Sequence, residues 1–104
     1  MITELSSNSQ RHWLRSIVYR VYAFRFIMKE LKEAQDRKDK QKTKTLEEDR
    51  LKAYKKINSG VNKGLSIGLS ETQITEINKK IVELISERKK PKEIIQILRE
   101  EKLQ

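Results

Sequence analysis

His12 and Ser16 are the residues whose types and spacing come nearest to nucleophilic catalysis in this chain. Residues four apart share one face of a helix, where an imidazole could take the proton of a serine hydroxyl. A working pair also needs an acid that orients the histidine, and the sequence positions none for it. We therefore interpret His12 as a surface histidine, and we predict no catalytic residue and no enzymatic activity.

Metal and cofactor chemistry has no support in the composition. The chain has no cysteine and one histidine, which excludes thiolate metal sites, disulfides and histidine-based metal clusters. The acidic residues show no calcium-loop spacing. The segment GVNKGLS at residues 60–66 lacks the spacing and the GK[ST] ending of a phosphate loop. No metal and no cofactor is predicted, and a cytoplasmic protein is the simplest expectation.

Arginine and aromatic side chains alternate in RSIVYRVYAFRFIMK, residues 15–29, a pattern that could bind a polyanion. At about 100° of rotation per residue, a helix would carry Arg11, Arg15, Arg25 and Lys29 on one side, interleaved with Val18, Tyr19, Tyr22 and Phe26. Guanidinium groups neutralise phosphates and aromatic rings stack on bases, so this face favours nucleic acid. The alternative is that the rings cover a second helix while the arginines extend past it into water.

The segment QDRKDKQKTKT, residues 35–45, has no apolar residue, so we predict a loop or a solvated helix end there. A flexible basic loop beside a basic helix would enlarge a phosphate-binding surface, although a solvated run of charges is the alternative. The predicted nucleic-acid contacts are Arg11, Arg15, Tyr22, Arg25, Lys29, Lys38, Lys40, Lys42 and Lys44.

Arg20 falls within the apolar side of the same helix, where an unpaired buried charge would be costly. We expect it to reach the edge of the core, to meet a carboxylate such as Glu83 or Glu87, or to lie at a subunit interface. The predicted interface residues are Arg20, Ile74, Ile77, Ile81 and Leu84.

The net charge of +9 is concentrated in the first part of the chain. Residues 1–63 contain 16 Lys and Arg against 8 Asp and Glu, whereas residues 64–104 contain 8 against 7. Such an excess favours polyanionic partners, meaning nucleic acid or an anionic membrane surface. The apolar stretch at 13–28 is interrupted by three arginines and a serine, so no transmembrane segment is predicted.

Helical patterns account for most of the chain and predict an all-α fold, a small bundle of about four helices. The first helix covers residues 10–35, with N-caps among Ser6, Ser7, Asn8 and Ser9, and the second runs from a capping box at Thr45–Glu48 to Asn58. A glycine hinge follows, with a helix cap at Gly60. A capping box at Ser70–Gln73 begins a third helix and Pro91 a fourth.

These elements define a basic helical part at 1–63, consisting of the long helix, the Lys-rich loop and the second helix. Residues 64–104 contain the glycine hinge and an αα-hairpin. We expect the two parts to form one folded domain.

ITEINKKIVELISERKKPKEIIQIL, residues 74–98, resembles part of the helix-turn-helix units of resolvases and sigma-like regulators. The resemblance covers about a quarter of the chain, with Glu93, Ile94 and Leu98 at matching positions. Arg88 stands where that family usually has glycine, and Ile95 where it has a small residue. The resemblance implies a DNA-reading helix, whereas the residues themselves favour an ordinary αα-hairpin.

Two functions remain open on this sequence. The favoured one is a non-enzymatic nucleic-acid-binding regulator or accessory protein that contacts DNA or RNA through the basic first helix and the Lys-rich loop. The alternative is a helical interaction module, in which the apolar stripes of helices one and three form an intermolecular bundle and the basic surface binds an acidic protein partner. A homodimer is expected because the core is small for four helices. A membrane-surface helix and a mitochondrial presequence rank lower.

Overall fold

The computed structural model describes residues 8–100, which form four α-helices. Their bounds are α1 Asn8–Asp36, α2 Lys40–Ser66, α3 Glu71–Ser86 and α4 Pro91–Glu100. The predicted all-α bundle of about four helices is therefore confirmed. Of the predicted N-caps, Ser6 and Ser7 lie outside the described residues, and Asn8 and Ser9 belong to the helix itself. No helix within 8–100 is long and apolar enough to cross a membrane.

α1 and α2 form a long antiparallel hairpin. Residues later in α1 contact residues earlier in α2: Trp13 forms a hydrogen bond with Gly60, Arg20 with Lys56, and Leu31 packs in one cluster with Leu46. This hairpin is the largest helix–helix contact in the described chain, and the remaining helices pack at its open end.

Of the two alternatives predicted for residues 35–45, the solvated helix end is confirmed and the Lys-rich loop is wrong. α1 continues to Asp36 and α2 begins at Lys40, so only residues 37–39 form a turn. Lysine and glutamine have high helix propensity, so a segment with nothing to bury can still extend a helix. The Asp39 carboxylate accepts a hydrogen bond from the backbone N–H of Lys42 at 3.1 Å and caps the start of α2.

The predicted capping box at Thr45–Glu48 is also wrong, because Thr45 lies inside α2. Its hydroxyl donates to the carbonyl of Gln41, one turn earlier, at 3.2 Å. The S/T-x-x-E pattern therefore does not mark a helix start here, because the threonine hydroxyl bonds to the carbonyl four residues earlier in the same helix.

The predicted helix end at Gly60 is wrong, since α2 continues through Gly60 and Gly64 to Ser66, and of the glycines in the predicted hinge only Gly68 lies in the connection to α3. The two glycines inside α2 are buried against α1. A Cβ at position 60 would lie 2.8 Å from the Ile17 side chain, and one at position 64 would lie 2.9 Å from the Trp13 ring. The two glycines therefore allow the helices to approach closely, and this outweighs their low helix propensity.

Three of the four helices end in the same way, each with one residue of positive φ after the last turn. These residues are Lys38 (φ 58°), Gly68 (φ 98°) and Arg88 (φ 66°). In each case the N–H of this residue and the N–H of the next bond back to the carbonyls of the preceding turn, which is the Schellman arrangement. Only one of the three ends carries the glycine that signals this geometry.

The local signals predicted for the starts of α3 and α4 are confirmed. The Ser70 hydroxyl accepts from the Gln73 N–H at 3.1 Å, and the Gln73 side chain accepts from the Ser70 N–H at 2.9 Å. Pro91 is the first residue of α4, where its missing N–H costs nothing.

The main core lies where α3 and α4 pack on the first half of α1. Its buried residues are Trp13, Leu14, Ile17, Val18, Val21, Leu69, Ile74, Ile77, Ile81, Leu84, Ile94, Ile95 and Leu98. A smaller cluster of Leu31, Ala34 and Leu46 lies further along the hairpin. Residues 22–56 therefore extend beyond the main core as a two-helix arm, and the described structure is 47 Å long.

Replacing Arg88 by glycine is expected to raise the free energy of unfolding by about 0.5–1 kcal/mol, because a side chain is strained at positive φ and glycine is not. Urea denaturation followed by circular dichroism measures the change. Arg88→Ala is the control, since it removes the guanidinium but keeps the Cβ that causes the strain. Equal stability of the glycine and alanine variants would contradict the assignment.

Candidate nucleic-acid interface

The predicted cations of α1 lie together on its exposed side. Arg11, Arg15, Arg25 and Lys29 are all exposed, and the helical repeat turns them away from α2. We call this surface the outer face and define it by Arg11, Arg15, Tyr19, Tyr22, Arg25, Phe26 and Lys29. The prediction that Val18 belongs to it is wrong, because Val18 is fully buried where α3 and α4 pack on α1.

The aromatic side chains of the outer face are accessible to solvent. Phe26 is 54% exposed and Tyr19 39% exposed, and Tyr22 is half-buried between them. The alternative that a second helix covers these rings does not hold for Phe26 within residues 8–100. Phe24, by contrast, points to α2 and packs with Tyr54 at a ring-centroid distance of 6.2 Å. The outer face thus carries unburied aromatic surface between its cations.

A groove runs between the first half of α1 and α4. We call it the α1–α4 groove. Its walls contain Arg15, Tyr19, Lys92, Ile95, Gln96, Arg99 and Glu100. Three cations and one carboxylate line it, so the groove is electropositive. Its lining includes the side chain of Ile95, which is buried and packs in the main core.

Two hydrogen bonds hold the polar wall of the groove in place. The Arg99 guanidinium donates through Nη2 to the backbone carbonyl of Arg11 at 3.4 Å, which ties the end of α4 to the start of α1. The Gln96 side-chain amide donates to Glu100 at 3.1 Å. One oxygen of the Glu100 carboxylate therefore accepts a hydrogen bond from a neighbour on α4 rather than from a cation of the groove.

The sequence predictions missed Lys92, Gln96 and Arg99 as candidate ligand contacts. Their spacing of four and three residues does place them on one face of a helix, and this signal was available. What the sequence does not contain is the packing of that face beside Arg15, which lies more than 70 residues earlier in the chain.

The lysines around the α1–α2 turn form a separate basic surface. Lys38, Lys40 and Lys44 line a shallow depression together with Glu47, whereas Lys42 is not among its lining residues. About 31 Å of helix separates Arg15 from Asp36, at 1.5 Å per residue. The predicted contacts therefore extend along α1 from Arg11 to Lys29 and continue with the lysines at the turn, rather than forming one compact patch.

No protein-family model, curated protein or solved structure matches this chain. The function must therefore be argued from the charged and aromatic residues on the surface of the protein.

Arg20 meets neither of the carboxylates predicted for it. Its guanidinium donates through Nη1 to the backbone carbonyl of Lys56 on α2 at 2.7 Å. The glycine at position 60 leaves room for this contact, because a Cβ there would lie 3.3 Å from the same nitrogen. Pairing with Glu83 or Glu87 is therefore wrong. Arg20 is half-buried at the edge of the core, the first of the predicted alternatives, and links the two helices of the hairpin.

The other predicted interface residues are buried inside the chain. Ile74, Ile77, Ile81 and Leu84 are all at most 8% exposed and belong to the main core. They do not form an exposed stripe in this structure, since α3 already buries them against the other helices.

His12 and Ser16 are both exposed and lie along a groove on the side of the hairpin next to Arg20. Ser9, Ser59 and Lys63 line the same groove, and no acid is among its lining residues. Nothing in this groove orients the imidazole towards the serine hydroxyl as a catalytic pair requires.

Proposed function

We propose that this protein is a non-enzymatic nucleic-acid-binding protein with a regulatory or accessory role. The observation that supports this best is the α1–α4 groove, where Arg15, Lys92 and Arg99 come together from opposite ends of the chain. Tyr19, one of the exposed aromatic residues of the outer face, also lines the groove.

Phosphate groups are the natural ligands of such a surface. Arginine and lysine neutralise phosphates and release their condensed counterions, which gives most of the affinity for a nucleic-acid backbone. The cations continue from the groove along α1 to Arg25 and Lys29, so an extended ligand can contact several of them. The lysines at the α1–α2 turn provide a second contact for a ligand long enough to follow the hairpin.

The proposal predicts that the double variant Lys92→Gln and Arg99→Gln binds nucleic acid about tenfold or more weakly than the unchanged protein, with the slope of log affinity against log salt concentration shallower by about one for each cation lost. Fluorescence anisotropy with labelled duplex DNA, single-stranded DNA and hairpin RNA, at salt concentrations from about 50 to 200 mM, measures both quantities.

Lys55→Gln with Lys79→Gln is the matched control, because these exposed lysines lie on α2 and α3 and do not line the groove. The control removes the same charge and should keep most of the affinity. Equal losses of affinity in the two double variants would mean that the net charge attracts nucleic acid nonspecifically and that the groove is not the binding site. No binding of any of the three nucleic acids at about 50 mM salt would overturn the proposal.

A helical protein-interaction module is the second candidate, and a different observation favours it. Large apolar side chains on the arm are exposed, among them Leu51 at 50%, Tyr54 at 48% and Met28 at 39%. Burying such side chains is the usual driving force for helix association. Sedimentation analysis of the protein alone and after Leu51→Glu tests it: a dimer that the substitution dissociates supports this function, and a monomer in both cases contradicts self-association through the arm.

A further inference from the structure

We infer that the outer face of α1 binds single-stranded nucleic acid, with unpaired bases stacking on Tyr19 and Phe26 while phosphates lie along the α1–α4 groove. This inference rests on the proposed function and adds the form of the ligand. It comes from the exposure of the rings, their spacing and the position of the cations around them.

Exposure of the rings is the first step. Other aromatic side chains of the protein are buried or packed against a neighbour. Trp13 is only 4% exposed and donates a hydrogen bond to a backbone carbonyl, and Phe24 packs against Tyr54. Phe26 and Tyr19 have more than a third of their surface in water. Single exposed apolar residues are common on proteins. Two aromatic rings on one helix face, with cations on either side, form the combination that binds single strands.

The spacing of the rings is the second step. Tyr19 and Phe26 are seven residues apart, so their Cα atoms are separated by about 10.5 Å along the helix axis. Bases in one strand of a duplex are about 3.4 Å apart and stack on each other. Bases that stack on successive rings must therefore be unpaired and further apart than in a duplex, and a single strand permits both.

The position of the cations is the third step. Arg15 belongs to both the groove and the outer face, and Tyr19 lines the groove as well. Arg25 and Lys29 are exposed on either side of Phe26 in sequence. A strand whose phosphates follow Arg99, Lys92 and Arg15 into the region of Arg25 and Lys29 would carry its bases past the rings. The same arrangement suits DNA and RNA, because both present a flat base and a charged backbone.

The test is the double variant Tyr19→Leu with Phe26→Leu, which keeps apolar side chains but removes the rings. Anisotropy is measured with a 20-nucleotide single strand of mixed sequence as DNA, the same sequence as RNA, and the corresponding DNA duplex. The unchanged protein is expected to bind a single strand at least about tenfold more tightly than the duplex. The variant should lose about tenfold or more for the single strand, because stacking on each ring contributes to affinity.

The salt dependence separates stacking from charge. Since the variant removes no charge, its slope of log affinity against log salt should equal that of the unchanged protein. Tyr54→Leu is the matched control, because Tyr54 is an exposed aromatic residue on α2, away from the outer face. It should bind the single strand normally, and circular dichroism checks that all variants remain helical.

Failure of this inference differs from failure of the proposed function. Equal binding of duplex and single strand, together with full affinity of the Leu variant and weakened binding of Lys92→Gln with Arg99→Gln, would overturn single-strand stacking and leave nucleic-acid binding in place. Absence of binding to all three ligands would overturn both. A preference for the RNA or the DNA strand, with loss in the Leu variant, supports the inference and identifies the sugar that the protein prefers.

Discussion

Trp13→Ala is expected to lower the free energy of unfolding by about 3–5 kcal/mol, the cost of removing a fully packed large aromatic side chain. Trp13 is 4% exposed. Its ring packs so closely on Gly64 of α2 that a Cβ at position 64 would lie only 2.9 Å from it. Its indole N–H also donates to the carbonyl of Gly60 at 2.6 Å. Urea denaturation followed by circular dichroism at 222 nm gives the change in stability.

Two controls separate the contributions to this loss. Trp13→Phe keeps most of the apolar surface and removes the hydrogen bond, so we expect a smaller loss of about 1–3 kcal/mol. Phe26→Ala removes an aromatic ring that is 54% exposed and should change stability by at most about 0.5 kcal/mol. An alanine at position 13 that costs no more than the one at position 26 would contradict the packing of α1 against α2.

The Trp13 contact also matters for the candidate interface. Trp13 joins α1 to α2 two residues before Arg15, and α3 and α4 pack on the same half of α1. The α1–α4 groove exists only while this half of α1 keeps its position. We therefore expect Trp13→Ala to weaken nucleic-acid binding through loss of the folded groove, in contrast to Lys92→Gln, which should leave stability unchanged within about 0.5 kcal/mol.

The elements that could be predicted from the sequence are those specified by neighbouring residues. The Ser70–Gln73 capping box and the proline that begins α4 act within one turn, and the structure contains both. The apolar stripe of α3 is likewise local, since a spacing of three and four residues fixes a face whatever that face packs against.

The errors arose where a distant contact outweighs a local preference. Gly60 and Gly64 read as helix breakers, yet they lie inside α2 because Trp13 and Ile17 on α1 need the space that a side chain would occupy. The positive φ of Lys38 and Arg88 could not be predicted for a different reason, because this geometry is usually marked by glycine and neither residue is one. The partner of Arg20 is a backbone carbonyl, which no side-chain pattern can reveal.

The candidate interface divides in the same way. The face that carries Arg15, Tyr19 and Phe26 follows from helical rotation alone and could be predicted. The groove could not, because it depends on α4 packing beside α1 and bringing Lys92 and Arg99 to Arg15. The Lys-rich segment was assigned to this surface because of its composition, but the length of α1 puts it at the other end of the hairpin.

Gly64→Val is expected to lower the free energy of unfolding by about 2–3 kcal/mol, a loss second only to that of Trp13→Ala. The first carbon of the new side chain would lie 2.9 Å from the Trp13 ring and 3.0 Å from the Ile74 side chain, so one of them must move. Both neighbours are buried, and a rigid indole cannot yield by rotating a flexible end. Valine has a better helix propensity than glycine, and this gain of less than about 1 kcal/mol offsets only part of the cost.

Asn62→Val is the matched control for Gly64→Val, because residue 62 is exposed on the same helix and is two residues away. It introduces the same β-branched side chain without a contact to α1 and should change stability by at most about 0.5 kcal/mol. Urea denaturation of both variants makes the comparison.

A Gly64→Val variant as stable as the unchanged protein would show that α1 and α2 are not in close contact at this position. The glycines at positions 60 and 64 would then have no explanation, because glycine is among the poorest helix formers and local preference disfavours it inside α2. A large loss confined to Gly64→Val would instead assign these glycines to the close packing of the hairpin that supports the groove.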